Sequence, residues 1–135
     1  MGKTILIIED EPRNRKLFRD LLQRNGFETV EATDGEQGVN LAKTIKPDLI
    51  LMDIMMPKMD GLQATRLIKA DPTTKCIPVL ALTGSAMSGD KERTLEAGCD
   101  GYIAKPVDIR ELLKTVASFI LRIPSIQRDE LILKR

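Results

Sequence analysis

Five short apolar runs alternate with five amphipathic stretches along this 135-residue chain. The apolar runs lie near 4 to 9, 28 to 32, 49 to 53, 78 to 83 and 101 to 104 and predict strands. The stretches near 12 to 25, 35 to 45, 61 to 70, 86 to 97 and 108 to 121 place apolar residues at helical spacing. Leu49 to Met52 and Val79 to Leu82 are continuous rather than alternating, as strands covered on both faces should be. Gly26 and Gly98 stand where helices should stop, and Asp34-Gly35 and Asp60-Gly61 where helices should start. Such a βαβαβαβαβα order predicts an α/β domain with a five-stranded parallel sheet, right-handed crossovers and helices on both faces.

Four of the apolar runs end in polar residues of complementary kinds: Glu9-Asp10, Asp53, Thr83 and Lys105. In a parallel sheet these carboxyl ends share one edge, where open α/β folds place their ligands. Three carboxylates then meet one hydroxyl and one ammonium. Two unit charges about 4 Å apart repel by roughly 4 kcal/mol at an effective dielectric near 20. Stability alone would not assemble such a cluster, whereas a hard divalent cation with oxygen ligands, Mg2+ or Mn2+, offsets the repulsion. Lys105 adds a second cation suited to a transferred phosphoryl group, so the pattern points to phosphoryl transfer.

Composition narrows the function further. A net charge of +1 and 30% charged residues spread along the chain leave no basic stripe for nucleic acid. One Tyr and three Phe do not make a base-stacking platform. The chain contains no histidine, which removes Ser-His catalysis, His-ligated metals and an internal phosphohistidine relay. Any phosphohistidine donor must be another molecule. Cys76 and Cys99 lack metal or redox spacing and are expected to be small buried or half-buried apolar residues. With no apolar stretch near about 18 residues and no leader-like start, the expectation is a soluble cytoplasmic protein that touches no membrane. Its domain is expected to span 1–121, followed by a short flexible tail at 122–135.

Together, Glu9-Asp10, Asp53 within LILMDIMMPKMDG, Thr83 within ALTG and Lys105-Pro106 within YIAKP resemble the receiver domain of bacterial two-component response regulators, over residues 3 to 121. The stretch TGSAMSGDKERTLEAGCDGYIAKP is similar to stand-alone receivers of the cell-division and cell-cycle type. The resemblance implies a flavodoxin-like, doubly wound sheet of strand order 2-1-3-4-5. It makes Asp53 the phosphoacceptor for a phosphohistidine on a histidine kinase or phosphotransfer protein. Asp10, Asp53 and the backbone carbonyl of Met55 would bind Mg2+ directly, with Glu9 acting through water. Receivers more often have Asp where Glu9 stands. Lys105 would contact Asp53 and then the phosphoryl oxygens, and Thr83 with Tyr102 would form the switch pair. Such a protein is not an enzyme in the ordinary sense, although it assists its own phosphorylation and dephosphorylation. It signals by changing shape toward a partner, through helix four, strand five and helix five, about Ala86 to Phe119, as a monomer or a phosphorylation-dependent dimer. The Lys105-Pro106 bond is often cis in this family, and sequence leaves its isomer open.

Other readings compete at single positions. Asp10 is placed to cap the helix that Pro12 opens, and Tyr102 suits an edge strand simply as an amphipathic aromatic. Met52, Met55, Met56, Met59 and Met87 read as packing and loop filler. Among whole-protein rivals, a flavin carrier would need phosphate donors where Glu9 and Asp10 stand. A haloacid-dehalogenase-type phosphatase would need a second Asp at the position of Met55. A receiver that has lost its switch, acting as a phosphorylation-independent interaction module, would not need every chemical position filled.

Overall fold

In the computed structural model, which describes residues 2–56, 59–84 and 90–121, ten elements follow one another along the chain. They are β1 (Thr4–Ile8), α1 (Pro12–Arg24), β2 (Glu28–Ala32), α2 (Gly35–Ile45), β3 (Leu49–Asp53), α3 (Gly61–Ala70), β4 (Val79–Thr83), α4 (Asp90–Glu96), β5 (Gly101–Ala104) and α5 (Ile109–Leu121). The strands form one sheet in the order β2-β1-β3-β4-β5, every pair parallel. This is the α/β, doubly wound arrangement that the alternating pattern predicts. The expected start of the fourth helix near 86, Met87, Pro57 and the tail at 122–135 lie outside the described residues.

Side-chain alternation divides the interior into two layers. Leu6, Ile8, Ile50, Met52, Val79 and Ala81 face one layer with Val39 and Ala42 of α2 and Leu62, Ala64 and Ile68 of α3. Ile5, Ile7, Leu49, Leu51, Leu80 and Leu82 face the other with Phe18 and Leu22 of α1 and Leu112, Val116 and Ile120 of α5. All five residues of β3 and of β4 are buried, which is why their sequences are unbroken apolar runs. Each large side chain withdrawn from water in this way stabilises the fold by about 1.5 to 3 kcal/mol. These layers hold the sheet rigid under its charged edge.

Caps settle where the helices begin. Asp34 and Asp60 cap α2 and α3, accepting from the backbone N–H of Gln37 and Gln63, each at 2.8 Å. The cap of α1 is Glu11 rather than Asp10: its side chain accepts from Arg13 N–H at 3.2 Å. The Asp10 carboxylate is therefore not engaged in capping. Cys99 is buried as expected, but Cys76 is exposed, because the turn between α3 and β4 holds it outside both layers. Among the described residues no helix is long and apolar enough to cross a membrane.

The amino edge of the sheet is closed by acids used structurally. Asp48 accepts from Thr4 N–H at 2.8 Å, and Asp100 accepts from both Val79 N–H and Lys69 Nζ at 2.8 Å. The Lys69 ammonium also donates to the carbonyls of Lys75 at 3.1 Å and Ile77 at 2.7 Å, which exhausts its three donors and locks α3 to the start of β4.

At the opposite edge the backbone is tightest at Gly61. Its N–H donates to the Ile54 carbonyl at 3.1 Å, closing the loop between β3 and α3. A Cβ there would lie 2.4 Å from the Asp53 carbonyl oxygen and 2.7 Å from Ile54 Cα, with no flexible side chain to yield. Gly61→Ala is expected to lower unfolding stability by about 1 to 3 kcal/mol, the range for inserting a methyl group into a filled space. Urea denaturation checks it, and an unchanged midpoint would mean that the loop can shift without cost.

Candidate functional site

The register of the strands aligns their polar ends. Ile8 pairs with both Ala32 and Met52, so Glu9 follows β1 at the level of Asp53 in β3. Asp53 pairs with Leu82, and Thr83 with Ala104, so Thr83 and then Lys105 continue the same line. Backbone bonds secure the step: Ile54 N–H donates to the Leu82 carbonyl at 3.1 Å and Lys105 N–H to the Thr83 carbonyl at 2.7 Å. The Lys105-Pro106 bond is cis.

Asp53 is the centre of the cluster and is only 2% exposed. Its Oδ1 accepts from Lys105 Nζ at 3.1 Å and from Met55 N–H at 3.1 Å. Lys105 is partly exposed while its partner is buried, so the ammonium is fed in from the solvent side on a long stem. One oxygen from each of Glu9, Asp10 and Asp53 lies within 4.8 Å of the others. Glu9 is 1% exposed; its Oε1 accepts from Asn14 Nδ2 at 2.9 Å, whereas Oε2 is buried with no hydrogen-bond partner among the described residues. Burial and the adjoining Asp53 carboxylate push the Glu9 pKa from 4.5 up to about 7, against the pull of Asn14 and Lys105. Its free oxygen can share a proton with Asp53 or face a cation. This orphaned oxygen, with three carboxylates converging, fits a hard divalent ion coordinated by oxygen.

Thr83 closes β4, 1% exposed, and its hydroxyl has no hydrogen-bond partner among the described residues. A buried hydroxyl left without a partner costs about 1 to 3 kcal/mol, so this one has a bond to gain from an oxygen-rich ligand. Tyr102 lies in the edge strand β5, half-buried and packed against the layer that contains Ala81. Gly84, next to Thr83, has nothing among the described residues within 4 Å of where a Cβ would stand. Met55 is 70% exposed beside Asp53, while Met52 and Met56 are buried and Met59 packs at the edge of the core. The methionines thus divide, with Met55 on the surface of the site and not in the packing.

The structure brings together Glu9, Asp10, Asp53, Thr83 and Lys105, all the polar strand ends singled out in the sequence, with Met55 alongside. It adds two residues that sequence reasoning missed, Asn14 and Arg15. Arg15 Nη1 donates to the carbonyls of both Glu9 and Asp10 at 3.0 Å. Both sit on the first turn of α1, which folds back over the loop that precedes it. A polar residue four to six places beyond an acidic strand end, just inside a helix opened by proline, was the available signal.

Comparison with known proteins agrees with this geometry. Residues 5–117 match the response regulator receiver domain family. The polar-differentiation response regulator DivK of Brucella anthropi is 42% identical over 120 residues, which cover 89% of this chain and 98% of that protein. The receiver domain of the sensor histidine kinase PA1611 from Pseudomonas aeruginosa, solved with a magnesium ion coordinated in its active-site cleft, superposes with a TM-score of 0.83 at 38% identity, covering 89% of this chain and 98% of that one. The Vibrio cholerae chemotaxis protein CheY4 superposes with a TM-score of 0.83 at 27% identity, covering 88% and 99%. With the family matched over most of its length and the acidic strand ends gathered around Asp53, this chain belongs to the response regulator receiver domain family.

Proposed function

We propose that the protein accepts a phosphoryl group on Asp53 from a phosphohistidine of a sensor kinase or phosphotransfer protein, and signals to a second protein by changing shape. The observation that carries this reading is a buried carboxylate held at 3.1 Å by one ammonium and flanked by two further acids. A carboxylate oxygen of Asp53 attacks phosphorus, the phosphorus–nitrogen bond breaks, and its electron pair returns to the donor's imidazole. In-line transfer of this kind asks a site mostly to position groups and neutralise charge. Asp10, Asp53 and the Met55 carbonyl would hold a Mg2+ or Mn2+ ion, with Glu9 contributing through water, and the ion would supply that neutralisation when bound. Lys105 offers its ammonium to the phosphoryl oxygens, and the Thr83 hydroxyl gains the partner it lacks. Tyr102, in the neighbouring strand, follows Thr83 and carries the change toward the face formed by α4, β5 and α5, within residues 90–119 of the described chain. The phosphoryl group is lost by slow hydrolysis at the same site or to a phosphatase. The likeness to the polar-differentiation response regulator DivK supports a receiver with a role of that kind; the sequence adds a cytoplasmic location and a monomer or phosphorylation-dependent dimer.

Three outcomes test this reading. Incubated with Mg2+ and acetyl phosphate, the wild-type protein should gain the mass of one phosphoryl group and Asp53→Asn should gain none, read by intact-mass spectrometry. Equal labelling of the two would remove Asp53 from the role.

The second concerns pH. The folded-state pKa of Glu9 is raised from 4.5 to about 7, so between those values the native state binds more protons than the unfolded chain. Stability of the metal-free protein should therefore fall as pH rises from about 4.5 to about 7, then level off. Saturating Mg2+, which binds the native state, should add most stability on the high-pH side. Thermal melts in chelator and in Mg2+ check both, and a Glu9→Gln variant with the same pH slope as wild type would assign the effect elsewhere.

The third concerns the switch. Thr83→Ala should still accept phosphate on Asp53, while the backbone NMR shifts that beryllofluoride induces across residues 90–119 in wild type largely disappear. Only a ligand that contacts two states differently can shift their balance, so shifts of wild-type size in the variant would exclude Thr83 as the coupling group.

A further inference from the structure

We infer that Arg15 is a positioning residue for the acidic site, fixing through its guanidinium the backbone from which Glu9 and Asp10 project. The inference rests on the metal-assisted reading above and extends it to a residue that touches neither metal nor phosphoryl group. Between the last residue of β1 and the first of α1 the chain has only residues 9 to 11 in which to turn. Glu9 N–H is tied to the Ala32 carbonyl at 3.1 Å, which fixes one end, and the cap by Glu11 fixes the other. Between them, a single Arg15 nitrogen donates to the carbonyls of Glu9 and Asp10, each at 3.0 Å. Both peptide planes are thereby aimed at one point.

The guanidinium is itself anchored. Its Nε lies 3.6 Å from Glu31 Oε1 on β2, and the other oxygen of that carboxylate accepts from Arg19 Nη1 at 3.1 Å. Arg15 is 18% exposed, so the bridge is shielded on most sides. Asp10 has the most to gain from this. Among the described residues no donor hydrogen-bonds its carboxylate, so its direction is set by its backbone rather than by a side-chain partner. Glu9 has Asn14 on one oxygen, and its reach still depends on where its Cα stands. Planar geometry matters here as well as charge. The guanidinium carries the Nε that faces Glu31 and the Nη1 that holds the two carbonyls on one rigid plane, whereas a lysine ammonium would have to reach all three from one flexible point.

Partners that orient metal ligands from outside the coordination sphere commonly contribute about 10 to 100-fold to metal affinity. The test is a titration of 15N-labelled protein with Mg2+ alone, following the amides of residues 9 to 11 and 53, in wild type, Arg15→Met, Arg15→Lys and Glu31→Gln. In metal-free protein, Arg15→Met should move the amide signals of Glu9, Asp10 and Glu11 while those of β4 and α5 stay in place. Its Mg2+ affinity should fall about ten-fold. Arg15→Lys, which keeps the charge and can still donate to a carbonyl but loses the rigid fork, should fall by less, and Glu31→Gln should also fall by less in the same direction. Should Arg15→Met not fold, the two conservative variants decide the matter. Wild-type or higher affinity in folded Arg15→Met would overturn the positioning role, because removing a nearby cation would by itself strengthen Mg2+ binding; wild-type affinity in both Arg15→Lys and Glu31→Gln would overturn it as well. If wild-type protein itself shows no Mg2+-dependent shifts at residues 9 to 11 and 53, the metal-assisted reading fails first, and this inference with it.

Discussion

Mutual repulsion among Glu9, Asp10 and Asp53 is the constraint around which this receiver is arranged. Their oxygens lie within 4.8 Å of one another, and the ammonium of Lys105 is paired with Asp53. At such separations each like-charged pair costs on the order of 4 kcal/mol at an effective dielectric near 20, and the Asp53–Lys105 attraction offsets only one such pair. Relief comes through a cation, or through a proton on Glu9, whose pKa is raised to about 7 by burial first and by the adjoining Asp53 carboxylate second. A site that is incompletely neutralised by its own side chains is thereby a site for a cation, and the same imbalance that weakens the fold creates affinity for a divalent metal.

Holding that imbalance in place requires a rigid support, and the two apolar layers supply it. β3 and β4 are buried along their full length, so the edge carrying Asp53 and Thr83 cannot relax by tilting or fraying. The loops are similarly constrained. Gly61 lets α3 start against the Asp53 carbonyl, and the Arg15 bridge draws the residues after β1 toward β2. Thr83 is the exception, with its buried hydroxyl left unpaired at the end of an otherwise satisfied strand. An unsatisfied group in a rigid surround is suited to a discrete switch, because it has one favourable alternative and little freedom to compromise.

Much of this was legible in the chain itself, for reasons that differ from element to element. Strand period, unbroken apolar runs and the Asp34 and Asp60 caps act locally, so the predicted α2, α3, β2, β3 and β5 coincide with the observed ranges. The polar strand ends were legible because in a parallel sheet every strand delivers its last residue to the same edge. What failed depended on the exact path of the loops. Asp10 and Glu11 are adjacent acids, and only the path of the loop decides that Glu11 caps α1. Cys76 looked apolar by type, but its place in the turn keeps it exposed.

Sequence by itself determined the alternating architecture and the identity of the acids, hydroxyl and ammonium at the strand ends, because those follow from residue type and spacing alone, and the motifs around them carried the resemblance to the family. Tertiary structure decided the rest. Register brought Glu9 level with Asp53, and burial left Glu9 Oε2 and the Thr83 hydroxyl without partners among the described residues. It also decided the cis form of Lys105-Pro106 and the reach of Arg15 to two carbonyls and Glu31. Each of these depends on distances between segments far apart in the chain or folded back on one another. On α1, Asn14 and Arg15 read as two more polar residues of a solvated helix face until the first turn lies over the acidic loop.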